Sequence, residues 1–289
     1  MRIVSNKWLR TILLSGIYLL GVFGIVASGG GGGGGNDDIS VSFPNPTLPA
    51  SARILDATNA TDTANTAVEF LFVGASFTDY LKPALVTTPS VPETISQFIE
   101  EIIKRHENSK SLVKLKTHDI SHIFCVFGSA VNEFSGTESE EIGTITFTNC
   151  DLSGVLLSGT LSYDVWWDDF SDNYDFRFGS NLVFDFGTEA ATFVMDLIVT
   201  GDDVTFDWTH DIIYSLSVVP GDGFLVTTTT TQPWFGNAAL IEVYGGQLIV
   251  TGASNTRLRI TVTAINVADV ELDDGSGTFV FHSTILINP

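Results

Sequence analysis

Between Trp166 and Asp175 the chain reads WWDDFSDNYD, which sets four carboxylates and an amide in one short stretch beside two tryptophans. Calcium takes about six to eight oxygen ligands and favours flexible acidic loops. Asp168, Asp169, Asp172 and Asp175 are therefore read as candidate calcium ligands. Trp166 and Trp167 offer aromatic faces on which a sugar ring can stack, and neighbouring carboxylates accept protons from sugar hydroxyls. Asp168 and Asp175 also pose as a hydrolase pair, since glycoside hydrolysis needs two carboxyl groups at a set separation. The plainer competitor is a polar hairpin turn with Trp167 in the core.

Other groups with the look of chemistry are slighter. His118-Asp119-Ile120-Ser121-His122 has the outline of a zinc-protease helix with Asp in place of Glu. That chemistry needs both imidazoles on one helical face. Here the helix is expected to end near Lys116, with Ile123 to Phe127 reading as a strand. Asp273-Asp274-Gly275-Ser276-Gly277 lacks the alternating acids of a calcium loop and reads as a tight hairpin turn. Thr227 to Thr231 is a threonine run suited to the wet face of a strand. No G-x-S-x-G elbow, phosphate loop or dinucleotide fingerprint occurs, and the five histidines are scattered. The residues therefore point to no evident catalysis.

Two cysteines, Cys125 and Cys150, remain to be placed. An even count in an oxidising compartment predicts one disulfide, worth about 3–4 kcal/mol through closure of its loop. The compartment is read from the N-terminus. Arg2, Lys7 and Arg10 precede an uncharged, mostly apolar run from Thr11 to Ala27, the pattern of an export signal. Val26 and Ser28 supply small residues for cleavage before Gly29. A signal kept uncut would instead serve as a membrane anchor, its apolar length being close to what a bilayer asks. Residues 29–50 open with seven glycines and continue with Pro, Asn and Ser, as a flexible linker does.

Without residues 1–28 the chain holds 10 basic and 34 acidic groups. The asymmetry is concentrated after position 120, where Arg177, Arg257 and Arg259 face 23 acids. A surface of that sign repels nucleic acid and anionic membranes. Disorder does not explain the charge, because 44% of the residues are hydrophobic and can bury a core.

The elements that must position these groups fall in two parts, a helical part over 51–117 and a sheet part over 118–289. Arg53-Ile54-Leu55 reads as a short strand and Asp62 to Leu81 as a helix. Ser90-Val91-Pro92-Glu93 fits a capping box. Beyond it Ile95, Phe98, Ile99, Ile102 and Ile103 oppose Glu100, Glu101, Lys104 and Arg105, an amphipathic helix. From Ser121 the period becomes two. Val155, Leu157, Leu161, Tyr163, Val165 and Trp167 share one parity; Ser158, Thr160, Ser162, Asp164 and Asp168 share the other. The same alternation recurs at Tyr174–Phe178, Val204–Thr209 and Arg257–Val262. Turn signals, Gly201-Asp202-Asp203, Pro220 to Gly223, Gly245-Gly246 and Gly252 to Asn255, separate about ten strands. The expected fold is mainly β (α+β): a long antiparallel meander curled into a sandwich or barrel, with one or two N-terminal helices packed on it. A transmembrane barrel shares the alternation, yet the chain ends on Asn288-Pro289 rather than an apolar aromatic strand.

Three short segments carry a resemblance: SARILDATNA at 51–60, GTITFTNC at 143–150 followed by LSGTL at 157–161, and GQLIVTGA at 246–253 ending in Asp273 to Gly277. Together they resemble uncharacterised exported, β-rich proteins of Gram-negative bacteria, many of them lipoproteins. The resemblance implies location and shape and carries no activity. Lipid attachment in such proteins requires a cysteine thiol; this chain has Ser28 where the cysteine would stand, so no lipid anchor is expected. The resulting expectation is an exported cell-envelope or extracellular protein, periplasmic, surface-bound or secreted, with a structural or binding role. A calcium-supported adhesion or carbohydrate-binding module is the alternative, and a hydrolase using Asp168 and Asp175 the third.

Overall fold

The computed structural model describes residues 41–69, 119–123, 125–136, 140–152, 155–167, 173–185, 187, 190–202, 205, 207–219, 222–228, 232–237, 240 and 242–287. The export signal, the glycine run and the expected amphipathic helix after Ser90 lie outside them.

Among the described residues, fourteen strands form one antiparallel sheet. It opens with β1 (Asp119–Ile123) and β2 (Ser129–Gly136). Five long strands follow: β3 (Glu140–Leu152), β4 (Val155–Trp167), β5 (Asn173–Asp185), β6 (Ala190–Asp202) and β7 (Asp207–Val219). Next come β8 (Asp222–Thr228), β9 (Trp234–Asn237), β10 (Glu242–Gly245) and β11 (Gln247–Thr251). The sheet finishes with β12 (Arg257–Ala264), β13 (Val267–Asp273) and β14 (Val280–Leu286).

The topology is a meander in which each rung lies beside its neighbour in sequence. Two rungs are broken. β8 and β9 both run antiparallel to β7, end to end along it. β10 and β11 pair with β9 and β8 respectively, so they form the next rung in two pieces. The pair Gly245-Gly246, expected to turn the chain into a new hairpin, instead kinks a strand that continues in the same direction. Gly246 has φ +131°, and a side chain there would strike the buried ring of Trp234. The ladder path from β1 to β14 is not closed, so the sheet is open and sandwich-like rather than a barrel.

One face of the sheet is the core. Ile145, Phe147, Leu157, Leu161, Tyr163, Val165, Phe176, Phe178, Phe193, Leu197, Tyr214, Val250 and Ile260 are all buried on it. Each large side chain so placed contributes about 1.5–3 kcal/mol. The opposite face carries Asp164, Arg177, Asp196, Arg259 and Glu271, each only part-buried. A membrane barrel has the reverse distribution, apolar outward. No helix among the described residues is long and apolar enough to cross a membrane.

Glycines and aromatic rings meet across the rungs. Gly143 pairs with Tyr163, Gly201 with Tyr174, Gly236 with Trp208 and Gly245 with Phe235. At each pair the ring lies over the glycine, within 2.7 Å of where a Cβ would stand. The missing side chain lets a ring lie flat along the strand, which recovers the contact that glycine itself cannot make.

The N-terminal segment wraps the sheet. Residues 41–50, which by composition close the linker, lie on the outer face: the Arg177 guanidinium stacks on Phe43, 4.2 Å from its centroid. Pro44 seats on Gly179, Pro49 on Gly223, and Ser51 bonds Ser217 at 2.6 Å. Arg53 to Leu55, expected as a strand, has no strand conformation; Arg53 N–H donates to Gly223 O (3.0 Å), Ala253 N–H to Arg53 O (2.7 Å) and Leu55 N–H to Thr256 Oγ1 (2.9 Å). The chain then turns onto the core face as α1 (Ala60–Glu69). That helix starts two residues before the expected Asp62, because Asp56 accepts from Thr58 and Asn59 reaches back to Asp56 N–H in a local turn. Ala60, Thr63, Ala64, Ala67 and Val68 form its buried stripe. It lies against β12–β14, and Tyr214 Oη–H donates to Ala67 O at 2.9 Å.

Candidate functional site

Cys125 and Cys150 are joined, with Sγ–Sγ 2.00 Å and Cα–Cα 5.2 Å. Alternation from Ile145 and Phe147 would turn Asn149 toward the core. A register shift between Phe147 and Cys150, with Asn149 at φ 46°, turns the fully buried Cys150 inward instead. The segment before the bridge departs from expectation. β1 ends at Ile123, and 126–128 is a bend with Val126 and Phe127 exposed, tied to β3 by Val126 N–H to Asp151 O. β1 also removes the helical reading of His118-Asp119-Ile120-Ser121-His122, because Asp119 to His122 is extended.

Of the acidic tryptophan segment, Asp168, Asp169 and Asp172 lie outside the described residues. Trp166 and Asp175 are brought together as direct cross-strand partners on β4 and β5. Trp166 stands on the outer face with 43% exposure, flanked on its other side by Glu140 of β3. Trp167, the next residue, pairs in register with Tyr174. Asp164, two positions before Trp166, pairs with Arg177. Burial pushes its carboxyl above the ordinary range; Glu140 and Asp175 add to this, and Arg177 opposes it. Burial likewise raises Asp175.

All three arginines of the sheet part are paired. Arg177 bonds Asp196 through two nitrogens at 2.8 and 3.0 Å. Arg259 grips Glu271, and Arg257 reaches Asp273 at 2.6 Å, with both guanidiniums against the Phe279 ring. Asp273 also accepts from Gly275 N–H and Gly277 N–H, so the Asp273–Gly277 segment is a hairpin turn organised by its first carboxylate. These bonds hold the Asp273 carboxyl below its usual value, Arg257 first. Among the described residues no three His, Cys, Asp or Glu side chains converge as a metal site.

A polar cluster on the core face escaped sequence reasoning. Tyr163 Oη lies 2.9 Å from Glu141 Oε1 and 3.2 Å from Asn132 Oδ1, with all three residues buried. The alternation that places Glu141 inward was legible once Ile145 and Phe147 were assigned to the core; the meeting with Asn132 depends on the β2–β3 register.

The fold and these groups define a class: an open antiparallel β-meander with one disulfide, an apolar core face and a polar outer face. No protein-family model matches the chain, and neither a curated protein nor a solved structure matches it.

Proposed function

We propose that this protein is exported and acts outside the cytoplasm as a non-enzymatic binding module of the cell envelope or extracellular space. The observation that carries the binding part is Trp166, a large ring left exposed on a 13-residue strand and flanked in register by Glu140 and Asp175. A ring on a long sheet strand is held in place before any ligand arrives, so little ordering cost opposes binding. The export part is supported by the basic-then-apolar N-terminus and by the Cys125–Cys150 bridge, since disulfides persist in oxidising compartments. Fractionation of a Gram-negative host expressing the full chain tests it. The protein should appear in the periplasm, envelope or medium with neither cysteine open to alkylation. Retention in the cytoplasm with both thiols alkylated would refute the reading.

A further inference from the structure

Trp166 belongs to a longer row. Following direct partners from strand to strand on the outer face gives Glu140, Trp166, Asp175, Thr200, Thr209 and Phe235, from β3 through β7 to β9. Phe235 is as exposed as Trp166, at 43%, and Tyr244 stands beside it edge to face, with centroids 6.5 Å apart. Four strand spacings separate the two aromatic ends, about 19 Å. Between them stand a carboxylate and two threonine hydroxyls, and the row holds no lysine or arginine. A second row runs alongside, Asp164, Arg177, Ile198 and Asp211. Phe43 stacks on Arg177 and borders the strip there.

We propose that this strip binds an extended, uncharged polysaccharide, with pyranose faces stacking on Trp166 and on Phe235 and the sugars between them hydrogen-bonded by Asp175, Thr200 and Thr209. Single exposed apolar residues on a protein surface are ordinary. Two aromatic ends in one register row, with acceptors and hydroxyls between, are a pattern that sugar chemistry fits. Pyranose rings present C–H faces to aromatic rings and hydroxyls to carboxylate and threonine oxygens. The aromatic ends are too far apart for one sugar, so the ligand is a chain. Glu140 and Asp175 exclude an anionic polymer by like charge. A lipid surface or an apolar protein partner would want a continuous apolar patch, and the polar middle of the strip interrupts one.

The proposal rests on the exported binding role above and fails separately from it: export is read by fractionation, and this strip by affinity. Affinity electrophoresis and calorimetry of the exported protein would use hydroxyethylcellulose, laminarin, galactomannan and dextran, with polygalacturonate as the anionic control. At least one neutral polymer should retard the protein, and polygalacturonate should not. Trp166→Ala and Phe235→Ala should each weaken binding by about tenfold, with the circular-dichroism spectrum of the folded sheet retained. Absence of binding to every neutral polymer overturns the proposal. So does equal binding by polygalacturonate, or by the two variants and the parent.

Discussion

Replacing Cys125 and Cys150 together with alanine removes a bridge between residues 25 apart in sequence. The chain-entropy relation for a loop of that size gives about 11.7 cal/mol/K, or about 3.5 kcal/mol at 25 °C. The effect acts mainly on the unfolded chain, whose ends the bridge no longer holds together, so the native sheet should keep its spectrum. With a urea dependence of about 2 kcal/mol/M, the unfolding midpoint should fall by about 1.7 M. Equilibrium unfolding followed by tryptophan fluorescence reads this directly, and the parent kept reduced throughout should match the double variant. Cys150 is fully buried, so a small packing loss adds to the shift and none subtracts from it. A double variant within about 1 kcal/mol of the oxidised parent would refute the argument. It would mean that the unfolded chain already holds the two positions close without the bond.

Gly143→Ala should lower stability by about 1–3 kcal/mol, because its Cβ would fall 2.5 Å from the ring of Tyr163, which is itself buried and bonded to Glu141; urea unfolding of the variant checks it, and a parent-like midpoint would show that the ring moves freely. The pH dependence follows from Asp273 and Glu271, whose folded values lie below their ordinary 3.8 and 4.5. Groups depressed in this way add stability that is complete above the unfolded value and is lost as pH falls through the folded one. Unfolding midpoints should therefore drop as pH is lowered below those values, and Asp273→Asn should flatten the drop by starting lower at neutral pH; a parallel curve for the variant would refute the role given to the Arg257 pair.

Alternation at Val155 to Val165, at Tyr174 to Phe178 and at Arg257 to Val262 was enough to determine a mainly β chain with one wet face, because a pleated strand sends successive side chains to opposite sides. The meander was legible for the same local reason: neighbouring strands joined by short turns pair with each other, and no distant contact has to be guessed. The cysteine count and the N-terminal signal together pointed to the bridge. Breaks in that local logic belonged to the tertiary structure. The bulge at Asn149, which turns Cys150 inward, and the kink at Gly246 follow from what lies across the sheet, Ser158 in one case and Trp234 in the other. Whether the sheet closes depends on its two edge strands, β1 and β14, which are far apart in sequence and show no pattern that says whether they meet. The candidate site divides in the same way. Trp166 and Asp175 were visible as residue types, but Thr200, Thr209 and Phe235 joined them only through registers spanning five strands, and a register is set by the sum of core contacts rather than by any one strand's residues.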